Sequence, residues 1–152
     1  MLPNPVLTPF CFLKVDLAPI QELGAGRAGI RRIIPIIGGT VSGQVNGTLQ
    51  NLGADWQTVY ADGTAWLDAR YAINTDDGAT IEVINQGLRH GPAEVMARVA
   101  AGEDVDPSDY YMRTSARLET GDARYDWVNR MMFLGVGARK AAQVHIQLYI
   151  VE

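Results

Sequence analysis

Three glycine-containing dipeptides divide the middle of the chain into short strand-like segments, and this spacing restricts the possible folds more than any other feature. Asn46-Gly47, Asp62-Gly63 and Asp77-Gly78 each lie between runs rich in β-branched and aromatic residues. Such dipeptides are typical of tight hairpins between antiparallel strands. We therefore predict a two-residue turn at each position and a series of consecutive antiparallel hairpins.

The segments on either side continue the all-β pattern. We predict strands over 7–17, 30–37, 109–120 and 142–152, a turn leading into a strand over 123–140, and a glycine-rich loop over 21–29. Only residues 92–102 have helical spacing, with proline in the first turn and glycine at the end. The sequence thus predicts an all-β, mostly antiparallel fold: a single compact β-barrel domain over 1–152 with about nine or ten strands and one short helix. A barrel is favoured because closure removes exposed sheet edges.

Composition argues against several classes of function. The 152 residues carry a net charge of -4 and a pI near 5.1, which disfavours a nucleic-acid partner. The chain shows no signal-peptide pattern and no apolar run of about 18 residues, so we expect a cytoplasmic protein without a membrane partner. Cys11 is the single cysteine, and His90 and His145 lack the spacing of a zinc site. We predict neither a metal nor a cofactor.

Ionisable side chains lie inside the predicted central strands as well as in the turns. With two-residue turns, Asp55 would lie opposite Arg70, and Arg70 would lie opposite Asn85 on the next strand. One sheet face would then hold the polar set Asp55, Gln57, Trp66, Asp68, Arg70, Asn85 and Arg89. The other face of the middle strand would hold Leu67, Tyr71 and Ile73.

The pattern allows two orientations of these faces. If the polar set faces water, cross-strand ion pairs such as Asp55–Arg70 contribute only about 0–1 kcal/mol each. If the polar set faces the lumen, its charges must be paired or solvated, and a barrel of eight or more strands can enclose one small ligand. The pattern alone slightly favours the first orientation.

Five sequence blocks resemble the family known as domain of unknown function 3237. In chain order they read RRIIPIIGGTVSG, GADWQ, DARYAINTDDGATIEVINQGLR, YYMR and YDWVNRMMFLGVGAR. The resemblance implies a mostly antiparallel β-barrel that often forms oligomers, so we expect a homo-oligomer. It also supports an interior polar pocket, since the recurring polar positions of the family correspond to Asp55, Trp56, Asp68, Arg70, Tyr71, Asp76, Gly78, Arg89, Arg113, Trp127 and Asn129. Leu52 stands where the family commonly has glycine.

Three functions are compatible with such a pocket. The first is a cofactor-free enzyme of the isomerase, lyase, cyclase or lactone hydrolase type, in which Asp55 or Asp68 moves a proton and Arg70 or Arg89 stabilises an anion. Its small-molecule substrate would be an apolar or aromatic anionic metabolite held by Trp56, Trp66, Tyr71, Asn85, Arg89, Tyr111, Arg113, Trp127 and Asn129. The alternatives are a non-catalytic ligand-binding barrel and a structural oligomer with a closed polar core.

Overall fold

A nine-stranded antiparallel sheet dominates the computed structural model, which describes residues 1–152. Neighbouring strands follow the order β1-β9-β8-β7-β6-β5-β4-β3-β2, and β1 also pairs with β3. This additional pairing closes eight strands into a barrel and leaves β2 as an extra strand on β3, so the predicted barrel fold is confirmed. The strands are β1 (Leu7–Leu17), β2 (Gln21–Ala25), β3 (Ile30–Gly43), β4 (Gly47–Val59), β5 (Ala65–Thr75), β6 (Thr80–His90), β7 (Tyr111–Glu119), β8 (Met132–Arg139) and β9 (Gln143–Val151).

Two helical elements lie at opposite ends of the barrel. The predicted helix is present as α1 (Ala93–Ala100), and its Val99 packs into a small apolar cluster with Leu67 and Met112. A 3₁₀ helix (Ala123–Arg130) lies at the other end and buries Val128 completely. A second 3₁₀ helix spans Pro107–Asp109. Each barrel end is therefore covered by a helical element.

Apolar side chains fill much of the barrel interior, which is not an open pore. A core of 19 buried residues includes Phe10, Leu13, Ile73, Phe133 and Leu148, each at most 1% exposed. These residues alternate with outward-facing residues along their strands, as antiparallel pairing requires. The interior space that remains lies towards the α1 end.

The N-terminal region differs from the predicted pattern in two places. Residues 21–29 are not only a loop, because β2 occupies their first half. The strand predicted to stop at Gly38-Gly39 continues to Gly43. A Cβ at Gly39 would collide with the backbone of Lys14, and its φ of +143° is one that other residues rarely adopt. The glycines thus let β3 bend and pass close to β1, instead of ending the strand.

The central hairpins have three-residue loops, so the predicted two-residue turns are wrong. At the β4–β5 turn the Tyr60 N–H donates to the Thr64 carbonyl and Gly63 has a φ of +86°. The β5–β6 turn repeats this geometry, with the Thr75 N–H bonded to the Ala79 carbonyl and a φ of +95° at Gly78. Both match a type I turn followed by a left-handed glycine, which adds one residue to the loop.

The third predicted turn, at Asn46-Gly47, is also displaced. Gly47 already pairs with Val41 of β3, so the chain reverses over residues 42–46. The Asn46 side chain closes this loop by accepting a hydrogen bond from the Gly43 N–H, 3.2 Å away. The asparagine acts here as a side-chain clamp instead of a central turn residue.

Candidate functional site

The longer hairpin loops reverse the orientation of β5 relative to its neighbours. Ala69 lies opposite both Asp55 of β4 and Asn85 of β6. A one-residue change of register moves every side chain of a strand to the other face. The register changes by one residue at both hairpins of β5. The inward-facing residues of β4 and β6 are therefore the predicted ones, and only the side chains of β5 exchange faces.

This reversal divides the predicted polar set between the two faces of the sheet. Four of its members line the lumen cavity together with Tyr71: Asp55, Gln57, Asn85 and Arg89. The prediction that Trp66, Asp68 and Arg70 face the lumen is wrong. Asp68 accepts a hydrogen bond from Gln86 on the outer surface, 3.0 Å away, and Arg70 is exposed. The lumen is consequently more apolar along β5 than expected, with Leu67, Tyr71 and Ile73 facing inward.

Asp55 is the carboxylate of the lumen. Its Oδ1 accepts a hydrogen bond from the Asp68 backbone N–H at 2.8 Å, and its Oδ2 accepts one from Gln57 Nε2 at 2.7 Å. Burial raises the pKa of Asp55 above its ordinary value, and these two hydrogen bonds and the charge of Arg89 partly oppose the rise. A carboxylate in this setting is suited to accept and return a proton.

Three arginines surround the end of the lumen next to α1. Arg89 of β6 is 8% exposed, Arg32 comes from β3, and Arg139 comes from the end of β8. Burial, followed by repulsion from Arg32, lowers the pKa of Arg89 to about 10. Burial also lowers the pKa of Arg139, again with a contribution from Arg32.

No carboxylate forms a close ion pair with any of these three arginines; the ion pairs of the protein all involve other residues. Desolvated guanidinium groups of like charge are unfavourable next to one another. Their clustering is typical of a site that binds an anion, because a ligand carboxylate or phosphate satisfies guanidinium geometry.

Two adjacent spaces make up the candidate site. The lumen cavity has a volume of about 40 Å³, enough for a small substituent or two or three water molecules. A mouth pocket of about 240 Å³ lies beneath α1 and shares Ile34, Arg89 and Arg139 with the lumen cavity. The lumen wall opposite the polar residues is apolar and consists of Val15, Leu17, Ile34, Ile36, Val144 and Ile146.

Polar atoms without a protein partner are concentrated at this site. Five buried side-chain atoms make no hydrogen bond within the protein: Arg32 Nε, Tyr71 Oη, Asn85 Oδ1, Arg89 Nε and Thr114 Oγ1. Four of these side chains line the lumen cavity, and the fifth, Arg32, lines the mouth pocket. Burial raises the pKa of Tyr71, which the nearby Asn85 side chain only partly opposes, so the hydroxyl stays protonated and able to donate. Buried polar groups are nearly always satisfied in native proteins, so these atoms mark a place for polar groups of a ligand or water.

The remaining predicted ligand-binding residues lie away from the lumen. Trp56 and Tyr111 are among the exposed large side chains, and Tyr111 stacks on His90 with ring centroids 4.9 Å apart. Arg113 lies over the outer face of Tyr111, 5.3 Å from the ring centroid.

At the far end of the barrel, two further predicted residues have structural contacts. Trp127 packs edge-on against Phe10 at 5.6 Å, and Asn129 bonds to both the N–H and the carbonyl of Thr120. These contacts hold the 3₁₀ helix against the barrel. The structure therefore does not bring Trp56, Trp66, Tyr111, Arg113, Trp127 or Asn129 together with Asp55.

Sequence reasoning missed two residues of the site, Thr114 and Arg139, whereas Arg32 is one of three neighbouring arginines, with Arg27 and Arg31, that the sequence suggests could attract an anion at the barrel mouth. Thr114 and Arg139 lie on β7 and β8, which are distant in sequence from the Asp55 hairpins. For Thr114 the alternation along β7 provides a signal, since Met112, Thr114, Ala116 and Leu118 are all buried. A polar residue in such an apolar row is a candidate for lining a cavity.

No group of three or more His, Cys, Asp or Glu side chains is placed to hold a metal ion. None of the helices combines the length and the apolar character needed to span a bilayer.

Residues 5–151, nearly the whole chain, match the family described as "Protein of unknown function (DUF3237)". The chain belongs to the DUF3237 family. Two curated relatives carry the name UPF0311 protein. The one from Bradyrhizobium diazoefficiens is 45% identical over 137 residues, covering 90% of each chain. The one from Rhodopseudomonas palustris is 42% identical over 135 residues, covering 88% of this chain and 86% of the relative.

Solved structures of DUF3237-like barrels agree with the fold. The protein of unknown function from Rhodopseudomonas palustris is 37% identical with a TM-score of 0.93, and both chains are covered completely. The "beta-barrel like protein" from Acinetobacter baumannii is 42% identical with a TM-score of 0.88, covering 100% of this chain and 99% of that one. A Penicillium herquei protein described as an enzyme is 22% identical with a TM-score of 0.75, covering 100% and 98%; this likeness concerns the fold alone.

Proposed function

We propose that the barrel binds a small organic anion with its charged group at the mouth and its reacting part in the lumen, and that it acts on this ligand without a cofactor. The observation that carries the proposal is the set of unpartnered buried atoms on Tyr71, Asn85, Arg89 and Thr114, all of which line one cavity. A closed structural core would satisfy these groups internally. Their arrangement favours a binding site over a purely structural polar core.

The ligand class follows from the chemistry of the walls. The arginines at the mouth suit a carboxylate or a similar anion. The apolar wall with Val15 and Ile146 suits a hydrocarbon or aromatic body. The limited lumen volume of about 40 Å³ restricts the inserted part to a small group, so most of the ligand would lie in the mouth pocket. An apolar or aromatic anionic metabolite has these properties.

Asp55 is the proposed acid–base group. As a carboxylate it would take a proton from a carbon next to a carbonyl group, and as an acid it would return that proton to another atom of the same molecule. Arg89, with its lumen-facing guanidinium, would stabilise the negative charge that develops on the carbonyl oxygen. This chemistry is common to isomerases, lyases and cyclases, and the same pair can assist lactone hydrolysis. Asp68 and Arg70, which face outward, have no part in the proposal.

The test is a metabolite screen that separates binding from turnover. Wild-type protein is incubated with mixed carboxylic acids, and each compound is followed by thermal stabilisation of the protein and by mass spectrometry of the compound. A hit should lose its stabilising effect in Arg89→Gln but keep it in Arg70→Gln. A chemical change should be abolished in Asp55→Asn but kept in Asp68→Asn.

Each outcome of the screen has a definite meaning. Stabilisation without any change of mass or structure would assign the barrel as a non-catalytic binder and remove the acid–base role of Asp55. Hits that survive Arg89→Gln would contradict the proposed site altogether. The outward-facing variants are matched controls, because they remove the same charge from a neighbouring strand position without touching the lumen.

A further inference from the structure

A hydrogen-bonded chain joins the mouth of the barrel to the lumen carboxylate. Arg32 of β3 lies opposite Gln57 of β4 in the sheet. Its Nη2 donates to Gln57 Oε1 at 2.8 Å, and Gln57 Nε2 donates to Asp55 Oδ2 at 2.7 Å. The chain therefore runs from a cation at the mouth, through one amide, to the carboxylate.

The chemistry of the groups fixes the direction of this chain. A guanidinium group only donates hydrogen bonds, so the amide oxygen of Gln57 must face Arg32. The amide nitrogen must then face Asp55, where it donates to the carboxylate. Gln57 is only 1% exposed, so bulk water cannot take over either contact. The orientation of the Gln57 amide thus depends on Arg32.

Arg32 also belongs to the mouth pocket. It lines that pocket together with Arg89 and Arg139, and its Nε has no partner within the protein. A single guanidinium therefore faces both the space proposed for the ligand anion and the amide that supports Asp55. A ligand that engages Arg32 changes the contact on which the Gln57 amide depends.

We propose that Arg32 is a positioning residue for Asp55 that acts through Gln57, and that an anion in the mouth pocket increases the proton affinity of Asp55 by drawing Arg32 towards itself. The inference rests on the proposed acid–base role of Asp55. With the ligand absent, the amide donor favours the carboxylate form. With the anion bound, the donor is weakened and the carboxyl group more readily holds a proton, so ligand binding and proton uptake are coupled.

Other charged groups also act on Asp55, and the test must separate them from the chain. Arg89 approaches from β6 and Arg139 from β8, while Tyr71 and the carboxylate of Asp68 belong to β5. Glu22 of β2 lies opposite Arg32 and lines the mouth pocket with it, as does Lys140, whereas the facing parts of β1 and β9 contribute apolar side chains to the cavity. None of these groups contacts Asp55 through Gln57, so removal of the amide is the discriminating change.

The experiment measures the pKa of Asp55 by carbon-detected NMR of side-chain carboxyl groups, with the resonance assigned from its loss in Asp55→Asn. Arg32→Gln and Gln57→Met should each raise the pKa by about one unit, the scale of one hydrogen bond to a charged group. If Arg32 acts through Gln57, the double variant should show no larger shift than Gln57→Met alone. Additive shifts, or no shift in Arg32→Gln, would overturn the proposal.

Arg31 provides the matched control. It is the neighbour of Arg32 on β3 and donates to Thr58 on the outer side of the same strand pair, at 2.8 Å. Arg31→Gln removes the same charge from an adjacent position and should leave the Asp55 titration unchanged. Arg32 itself is only partly buried, so Arg32→Gln keeps the test available even if Gln57→Met does not fold.

Sulfate is the probe for the anion, because it stays doubly charged between pH 4 and pH 8 and any pH dependence then comes from the protein. Saturating sulfate should raise the pKa of Asp55 in the wild type, and by linkage sulfate should bind more tightly at acidic pH. The sulfate-induced rise in the pKa of Asp55 should be smaller in Gln57→Met than in the wild type. An equal rise in Gln57→Met, or no rise in the wild type, would refute the role of the amide. None of these measurements uses a substrate, so the Arg32 proposal can fail while Asp55→Asn still abolishes turnover. Equally, the pKa shifts can occur as expected while no turnover is found.

Discussion

Asp55 and Asp68 are joined across the β4–β5 pair by a hydrogen bond from the Asp68 backbone N–H to the Asp55 carboxylate, 2.8 Å long. The side chains of the two residues point to opposite faces of the barrel. The Asp68 carboxylate bonds to Gln86 on the outside, whereas Asp55 bonds to Gln57 inside. Two acidic residues on adjacent strands thus share one backbone contact but have separate environments.

This relationship predicts a pH-dependent difference between Asp55→Asn and the wild type. Burial raises the pKa of Asp55, so between its unfolded-state and folded-state pKa values the native protein binds more protons than the unfolded chain. The contribution of Asp55 to the free energy of unfolding therefore decreases as pH rises through that window. Asp55→Asn lacks this decrease. Relative to the wild type, the variant should gain stability from pH 4 to pH 7 in urea unfolding.

Asp68→Asn is the control for that measurement. Its backbone N–H remains in place, so the hydrogen bond to Asp55 is kept. The Asp68 carboxylate only adds to the raised pKa of Asp55, so Asp68→Asn should change the pH dependence much less than Asp55→Asn does. If the difference between Asp55→Asn and the wild type is the same at both pH values, Asp55 does not titrate as a buried carboxylate.

The fold could be predicted from the sequence because its signals are local. The Asp62-Gly63 and Asp77-Gly78 dipeptides mark the ends of β5, and Pro92 with Gly102 brackets α1. Short-range signals of this kind place strands and turns without information on distant contacts. They predicted one barrel with one helix; the structure has the barrel and that α-helix, and two 3₁₀ helices in addition.

The orientation of β5 could not be predicted in the same way. An Asp-Gly pair fits a two-residue loop and also a three-residue loop that ends in a left-handed glycine. The choice changes the register by one residue and moves Arg70 and Asp68 from one face to the other. Arg139 was missed for a different reason: β8 is four strands away from β4 in the sheet order, and only closure of the barrel brings it close to Asp55.

Gly87→Ala should destabilise the protein by about 1–3 kcal/mol, the usual cost of overpacking. Gly87 faces inward on β6, and an added Cβ would lie 2.6 Å from Thr114 Cα and collide with the Arg113 carbonyl oxygen. Both are backbone atoms, so β6 and β7 would have to separate. Thermal or urea unfolding measures the loss. Gly121→Ala, where an added Cβ meets nothing within 4 Å, should be close to neutral.

Cys11 should be unreactive in the folded protein. It is 1% exposed, and burial raises the pKa of its thiol to about 12, so hardly any thiolate forms at pH 8. Iodoacetamide at pH 8 should label less than a few per cent of native protein and should label it fully in urea. Rapid labelling of native protein would show that the β1–β9 contact opens on the timescale of the reaction.

Arg89→Met should separate binding from stability. Arg89 is buried, its Nε has no protein partner, and Arg32 repels it, so Asp55 only partly offsets the cost of its charge until an anion is present. Replacing a poorly compensated buried charge by an apolar side chain of similar length is often stabilising. We expect the free energy of unfolding to rise by about 1–2 kcal/mol while stabilisation by bound anions is lost.

The exposed control Arg70→Met should change stability by less than about 0.5 kcal/mol and keep anion binding. A strong loss of stability in Arg89→Met would instead mean that the guanidinium is already compensated within the protein, and the case for a ligand anion at this position would fail.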